Sequence, residues 1–302
     1  MVFPSEQGLT YIFGGYNEKD VFGDTWAYDQ ASQGWEKVQF RPEKGGCDGP
    51  PGEQKLSLPS ARAGHMMVPM TTSALMCGGY VTKGVYLAAK EAIDKIDCWW
   101  LTPGQNPRWD VLIVHKDSPV KGPTPRTGLA MARDHKKNKV YIFAGKGAEY
   151  STASGETGSL LNDCYVLSSA SNVTEDEMDY EIEYSWGSCD PTSETVTRPQ
   201  PRYGAQSVWF KNTLYSFGGI VQNGLRVGPK GDLWCYEEPA SPLTSWKELM
   251  PRSKAPDPRA FFSMWLSGFK IFVHGGQGPT GVGAAVKSRN PNTDSISAVL
   301  SH

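Results

Sequence analysis

Five times along the chain, an apolar run ends in a pair of small residues. The pairs are Gly14-Gly15, Gly78-Gly79, Ala144-Gly145, Gly218-Gly219 and Gly275-Gly276. Self-similarity of this kind is typical of repeat architectures, in which one supersecondary unit cannot bury its apolar face without a neighbour. We therefore expect a row of similar units rather than a set of unrelated domains.

Further elements recur in step with these pairs. After each of the first four pairs, an acid is followed two and four residues later by apolar side chains, in Asp24-Thr25-Trp26-Ala27-Tyr28, Asp97-Cys98-Trp99-Trp100-Leu101, Asp163-Cys164-Tyr165-Val166-Leu167 and Asp232-Leu233-Trp234-Cys235-Tyr236. A lone tryptophan then follows, at Trp35, Trp109, Trp186 and Trp246. The later pairs are preceded by Arg62-Ala63-Gly64, Arg126-Thr127-Gly128, Arg202-Tyr203-Gly204 and Arg259-Ala260-Phe261. The period of two places bulky groups on one face of a half-buried strand.

Each complete unit predicts four short antiparallel strands, which is one blade of a β-propeller. We expect an all-β fold of about five blades, in a ring that is incomplete or truncated. The propeller is expected over 1–279, with units at about 10–38, 60–113, 124–188 and 200–249 and a partial unit at 257–279; a small, polar and disordered tail is expected at 280–302. In an alternative, the strands around Phe261–Leu266 complete the first blade, which lacks its own Arg-Gly strand, and close a smaller ring.

The recurring residues are expected to be structural. Glycine suits the end of the second strand, where the chain reverses and blades approach each other, and tryptophan can fill the wedge between blades. The glycines concerned are Gly14, Gly15, Gly78, Gly79, Gly145, Gly218, Gly219, Gly275 and Gly276. A residue repeated in every blade is more simply structural than functional, so the same interpretation applies to Arg62, Arg126, Arg202 and Arg259, and to His65. A ring of arginines that binds an acidic peptide is the alternative.

Together these elements resemble the kelch repeat, from Tyr11 to Gly276. The glycine pairs lie further apart than the roughly 50 residues of a kelch unit, so the excess is predicted to lie in loops. The second and third units are similar to the kelch domain-containing proteins, which implies an intracellular propeller that binds other proteins. Phe261 and Ala144 depart from the pattern, because each stands where the repeat has glycine.

Strand direction alternates within a blade, so the loops between its second and third strands share one face with the connections between blades. We call this the loop face. The longest insertions fall mostly on it, and binding residues gather on loops that a rigid scaffold holds. The candidate partner-binding residues are Tyr80, Lys83, Tyr86, Lys90, Lys146, Tyr150, Arg226 and Lys230. The alternative for each of them is an ordinary solvated side chain.

The third unit carries an acidic insertion between its last two strands, on the opposite face. Its acids are Glu175, Asp176, Glu177, Asp179, Glu181 and Glu183. They could dock a basic partner through charge complementarity. A solvated loop kept soluble by its charge is the favoured interpretation.

Composition narrows the function classes. With 30 Lys and Arg against 32 Asp and Glu, the net charge of −2 argues against a nucleic-acid partner. No apolar stretch approaches the roughly 18 residues that span a bilayer, and no basic, then apolar, leader begins the chain, so a cytoplasmic protein without a membrane partner is expected. The six cysteines form no C-x-x-C pair and are expected to be reduced thiols.

No catalytic residue, metal or cofactor is predicted. A copper radical oxidase of this architecture needs two histidines and two tyrosines at one site, and the available histidines are His65, His115, His135, His274 and His302. The favoured function is a protein-binding scaffold or adaptor. Two alternatives remain: a metal-dependent or oxidase-like propeller enzyme, and the substrate-recognition part of a ubiquitin ligase.

Overall fold

The computed structural model describes residues 2–4, 8–40, 58–82, 85–86, 88–89, 92–104, 106–147, 159–169, 182–190, 197–238, 246–250, 254–279 and 296–299. The regular secondary structure in these ranges consists of β-strands, arranged mainly in antiparallel sheets that follow one another along the chain. The predicted all-β, propeller-type architecture is therefore confirmed. Among the described residues, no helix is both long and apolar enough to cross a membrane.

The first two sheets each place four strands side by side. The first, in the order β1-β2-β3-β4, consists of β1 (Val2–Pro4), β2 (Leu9–Tyr16), β3 (Val21–Asp29) and β4 (Gly34–Lys37). The second, in the order β5-β6-β11-β12, consists of β5 (Met66–Pro69), β6 (Ala74–Cys77), β11 (Cys98–Thr102) and β12 (Arg108–Val111). Between β6 and β11 lie two small hairpins, β7 (Tyr80–Thr82) with β8 (Val85–Tyr86) and β9 (Ala88–Ala89) with β10 (Ala92–Ile96).

The third sheet has eight strands and the fourth has four. The third contains β13 (Arg126–Thr127), β14 (Ala130–Asp134), β15 (Lys139–Gly147), β16 (Leu160–Ser169) and β17 (Tyr184–Ser188). The third sheet continues from β16 through β18 (Arg202–Tyr203) to the hairpin of β21 (Ile220–Asn223) and β22 (Arg226–Pro229). The fourth contains β19 (Gln206–Phe210), β20 (Thr213–Phe217), β23 (Leu233–Glu237) and β24 (Trp246–Leu249). The fifth contains β25 (Ser263–Ser267), β26 (Lys270–His274) and β27 (Ile296–Val299).

The sheets pack face to face through alternating apolar side chains. Tyr11 and Phe13 of β2 are buried against the second sheet, while Ile12 between them lies on the other face of the strand. Similar apolar clusters fill the interfaces between each later pair of consecutive sheets. The first strands of the blades contact one another in series, β1 with β5, β5 with β14, β14 with β19, and β19 with β25. This places them innermost; a contact that closes the ring from the fifth sheet to the first is not detected in the described part of the chain.

Two expectations about the ends of the repeat need correction. β25 pairs with β26, not with the first sheet, where β1 takes the innermost position beside β2. The sequence hid β1 because the segment Val2–Pro4 has no Arg-Gly motif. The expected tail at 280–302 contains β27, whose sequence Ile296-Ser297-Ala298-Val299 pairs with β26 in an antiparallel register. The other residues of that segment, 280–295 and 300–302, lie outside the described residues.

The four closing tryptophans do not share one environment. Trp109, Trp186 and Trp246 are buried in the interfaces between consecutive sheets. Trp35 is 52% exposed and contacts Tyr28 of its own sheet. It lies on the face of the first sheet that points away from the second, so it does not fill a wedge there.

The expectation of reduced thiols is wrong for four of the cysteines. Cys77 of β6 is bonded to Cys98 of β11, and Cys164 of β16 is bonded to Cys189. Cys77 and Cys98 face each other directly in the antiparallel register, which brings their side chains within reach. Cys235 is a buried free thiol, and Cys47 lies outside the described residues.

Candidate functional site

The four recurring arginines fix the start of each blade. Arg202 shows the pattern: its Nε donates to the Gln200 carbonyl at 3.0 Å, its Nη1 donates to the Gly218 carbonyl at 2.8 Å, and its two Nη atoms reach Asp232 at 2.8 and 2.9 Å. Burial by itself would raise the pKa of Asp232, but the hydrogen bonds and positive charge of Arg202 lower it below the ordinary value. Arg62 with Asp97 and Arg126 with Asp163 repeat the arrangement. Arg259 makes the two carbonyl contacts, to Asp257 and Gly275.

These guanidinium groups are enclosed, with side chains that are almost fully buried. Their donors are directed at carbonyls and carboxylates of the same blade. They therefore position backbone and do not form a ring that an acidic peptide could reach.

The segments that the arginines fix form a backbone ladder across four blades. The Gly128 N–H donates to the Gly64 carbonyl at 2.9 Å, the Gly204 N–H to the Gly128 carbonyl at 2.7 Å, and the Phe261 N–H to the Gly204 carbonyl at 2.8 Å. Each of these residues comes just before an innermost strand, so the ladder runs around the central axis on the loop face. It gives the centre of this face a fixed backbone.

All four ladder residues have a positive φ, at +66° for Gly64, +60° for Gly128, +70° for Gly204 and +54° for Phe261. Glycine adopts this left-handed region without steric cost, whereas a residue with a Cβ does not. The fifth blade therefore keeps the backbone shape of the repeat although its residue is phenylalanine. Ala144, the other departure from the repeat, behaves in the same way with φ +60°.

Aromatic rings lie over this ladder. A Cβ at Gly64 would be 3.2 Å from the Tyr80 ring, one at Gly128 would be 3.3 Å from the Tyr203 ring, and one at Gly204 would be 3.0 Å from the Phe261 ring. Tyr16 contacts Tyr80 with 6.4 Å between ring centroids, and Tyr203 contacts Phe261 edge-on at 5.6 Å. We call Tyr16, Tyr80, Tyr203 and Phe261 the axial platform.

The axial platform is partly open to solvent and uncharged. Tyr16 is 67% exposed and Phe261 is 49% exposed, whereas Tyr80 and Tyr203 are half-buried. Burial raises the pKa of both Tyr80 and Tyr203 above the ordinary tyrosine value. Their phenols stay protonated near neutral pH and can donate hydrogen bonds. The arrangement suits contact with apolar groups that carry a few polar neighbours.

Four of the eight residues predicted to bind partners have described side chains. Tyr80 belongs to the axial platform, and Lys146 occupies the same position in the third blade, directly after the small-residue pair. Arg226 is exposed in β22, and Lys230 precedes the third strand of the fourth blade, with its N–H bonded to the Gly219 carbonyl. Tyr86 lies in β8, of which only the backbone is described; Lys83, Lys90 and Tyr150 lie outside the described residues.

Sequence reasoning missed Tyr16, Tyr203 and Phe261. Tyr16 could have been found, because it follows Gly15 just as Tyr80 follows Gly79. Tyr203 is the variable residue of an Arg-x-Gly motif, so nothing in the pattern distinguishes it. Phe261 was visible only as a departure from the repeat.

The histidines give no cluster in the described ranges. There, no group of three or more His, Cys, Asp or Glu side chains is placed to hold a metal ion. Burial, with the nearby charge of Arg62, lowers the pKa of His65 to about 3, so that this side chain is neutral. His115 lies 3.7 Å from Glu183, the last acid of the acidic insertion, whose other acids are outside the described residues.

Comparison with known proteins places this geometry in a family. Residues 64–288 match the KLHDC2/KLHL20/DRC7 Kelch-repeats domain. Host cell factor 2 of Homo sapiens is 26% identical over 279 residues, which cover 90% of this chain and 29% of that protein. Kelch domain-containing protein 3 of Homo sapiens is 23% identical over 271 residues, covering 89% of this chain and 58% of that protein.

A third relative, Host cell factor of Drosophila melanogaster, is 24% identical over 90% of this chain and 16% of its own length. The chain thus spans less than two thirds of each of these relatives. Among solved structures, that of YjhT superposes with a TM-score of 0.55 at 16% identity and covers 90% of this chain and 75% of the other, which supports the fold alone. Because the family match covers more than half of its residues, the chain belongs to the KLHDC2/KLHL20/DRC7 Kelch-repeats family.

Proposed function

We propose that this chain is an interaction module that binds partner proteins through the loop face, with the axial platform at its centre. The observation that carries the proposal is the platform itself: four aromatic rings, of which Tyr16 is 67% and Phe261 is 49% exposed, above a hydrogen-bonded backbone ladder. Aromatic side chains held rigidly are the residue type that contributes most to protein interfaces. The lysines and arginines around them extend the contact surface.

The family supports the coarse part of this proposal, because kelch-repeat proteins generally bind other proteins. The adaptor role and the particular partner are our inference for this chain. The proposal includes no catalytic step, no cofactor, and no nucleic-acid or membrane partner.

An intracellular location is part of the proposal, and the disulfide bonds provide a test of it. Disulfides persist in oxidising compartments and are rare in the cytosol. If the module works in the cytosol, partner binding should survive reduction of Cys77–Cys98 and Cys164–Cys189 by dithiothreitol. Loss of binding on reduction would instead support an oxidising compartment.

Comparative affinity purification tests the interaction surface. The full chain, a loop-face variant (Tyr80→Ala, Lys146→Ala, Arg226→Ala) and a matched variant of the opposite face (Phe269→Ala, Lys270→Ala) are immobilised and exposed to the same cell extract. Phe269 is 60% exposed in the turn between β25 and β26, so the control also removes a surface aromatic and a lysine. Quantitative mass spectrometry is expected to find proteins held by the wild type and the opposite-face variant but lost from the loop-face variant.

Melting temperatures of all three proteins check that each is folded. If the opposite-face variant loses the captured proteins while the loop-face variant keeps them, the binding surface is on the other side of the propeller and the proposal is wrong. The same conclusion follows if folded wild type and both variants capture indistinguishable sets.

A further inference from the structure

We propose that Phe261 is the anchor residue of the loop face and that it receives an apolar side chain from an acidic linear segment of a partner protein. This inference rests on the proposed function, and it adds the residue that dominates the contact and the chemistry of the partner.

Phe261 differs from its equivalents in a way that the fold does not require. Gly64, Gly128 and Gly204 provide the left-handed backbone of the ladder without a side chain, whereas Phe261 has the same backbone with a Cβ and a ring. A non-glycine residue in this region carries a steric cost, and residues held at such a cost are concentrated at binding and active sites. The fold needs the backbone shape at this position and not the ring.

The surroundings of the ring are those of an interface anchor. One side rests on Gly204, which has no side chain that would compete for the space, and the edge contacts Tyr203 at 5.6 Å with an interplanar angle of 72°. The rest of the side chain is open, since Phe261 remains 49% exposed. A ring that is fixed from below and free above loses little conformational entropy on binding, and buried aromatic residues near the centre of an interface dominate its energy.

Charge around the anchor selects the partner. On the loop face of the third to fifth sheets, the described cations other than the buried repeat arginines are Lys146, Arg198, Arg226, Lys230 and Lys254. The carboxylates of Asp163 and Asp232 are already held by Arg126 and Arg202. Asp190 and Asp257 are the other described carboxylates there, and burial, with the nearby Asp163 charge, raises the pKa of Asp190 to about 6.

Among the described residues, and leaving aside the buried repeat arginines and the acids they hold, five cations against two carboxylates leave this half of the loop face positive by three charges. Complementary potential favours a negatively charged partner and raises its association rate. An apolar anchor surrounded by cations therefore suits a segment in which one aromatic or large aliphatic side chain is flanked by Asp and Glu.

The experiment uses a phage-displayed library of random 12-residue linear peptides, selected on the full 302-residue chain. Enriched peptides are synthesised with a fluorescein label, and their affinities are measured by fluorescence anisotropy at two salt concentrations. We expect enriched peptides with a net negative charge and at least one aromatic or large aliphatic residue. Affinity should fall at higher salt, because exposed charges are screened.

Phe261→Gly is the decisive variant. It restores the residue found in the other three blades, so its melting temperature should equal or exceed that of the wild type, while peptide affinity should fall at least tenfold. Phe269→Ala, which removes an exposed aromatic ring from the opposite face, should leave the affinity unchanged. A Lys146→Glu, Arg226→Glu variant should weaken binding and reduce its salt dependence.

The outcomes separate this inference from the proposed function. If enriched peptides bind through the loop face, shown by the charge-reversal variant, but Phe261→Gly binds as the wild type does, the function stands and the anchor is wrong. Enrichment of basic peptides, or tighter binding of a single-stranded oligonucleotide tested in parallel, would overturn the acidic-segment assignment. If no peptide is enriched, or if only Phe269→Ala affects binding, both proposals fail.

Discussion

The interface between the third and fourth blades and the free face of the first blade contain the same recurring residues in different surroundings. Trp246 is 1% exposed among Phe143 and Tyr236, whereas its repeat equivalent Trp35 is 52% exposed. Asp232 is held by a buried arginine, whereas its equivalent Asp24 accepts from Trp26 and lies 3.5 Å from the exposed Lys37. The comparison teaches that the repeat specifies the strand but the neighbouring blade determines what each residue contributes to stability.

The tryptophans should give the largest difference. Trp246→Ala removes a fully buried indole and is expected to lower the free energy of unfolding by about 3–5 kcal/mol. Trp35→Ala should cost under about 1 kcal/mol, because half of that side chain is already in water. Urea unfolding of both variants followed by far-UV circular dichroism measures the contrast, and equal losses would show that Trp35 is buried in solution.

Substitution of the recurring acids Asp232 and Asp24 should give a smaller difference in the free energy of unfolding, again with the larger loss in the fourth blade. Asp232→Ala leaves the buried Arg202 guanidinium without its carboxylate and should cost about 3 kcal/mol. Asp24→Ala disrupts only a solvent-exposed ion pair and one indole hydrogen bond, so the loss should be under about 1 kcal/mol. A chemical denaturation series at one pH compares them; a larger loss for Asp24→Ala would contradict the contrast between blades.

A pH effect should distinguish the second blade from its neighbours. His65 stands where later blades have Leu129, Ala205 and Phe262, and its pKa is lowered to about 3 by burial. The unfolded chain takes up a proton below about pH 6.5 that the folded chain does not accept, so stability falls as the pH decreases. This residue should make the protein about 1.4 kcal/mol less stable at pH 5.5 than at pH 8.

His65→Leu, which copies the third blade, should remove that part of the pH dependence. Denaturant midpoints of wild type and variant between pH 5 and 8 provide the measurement. Parallel curves for the two proteins would mean that His65 titrates normally in the folded state.

The strands of the repeat could be predicted because their spacing is periodic, whereas features formed between units could not. The hairpins β7–β8 and β21–β22 lie in segments that the sequence shows only as long insertions. The Cys77–Cys98 bond could have been predicted from the repeat. In each of the first four blades the residue before the small-residue pair lies opposite the residue after the recurring acid, as Phe217 lies opposite Leu233. The cysteines were instead interpreted from their motif spacing alone.

The candidate site was only partly predictable. The loop face and Tyr80 follow from strand alternation, but Tyr203 and Phe261 come together only because the fourth and fifth blades adjoin at the axis. Their separation of 58 positions carries no periodic pattern that could have indicated contact. Exposure at Trp35 could not be predicted either, because it depends on what lies beside the first sheet.

The ladder of amide bonds also determines where the protein can be divided. Because the Phe261 N–H caps the Gly204 carbonyl, a shortened chain that stops after β24 would end at an apparent blade boundary and still deprive the fourth blade of a donor. A shortened chain meant to contain a single blade or half of the propeller should therefore extend through the Arg-x-Gly position of the blade that follows. The boundary of a stable structural unit therefore lies a few residues beyond the boundary of the sequence repeat.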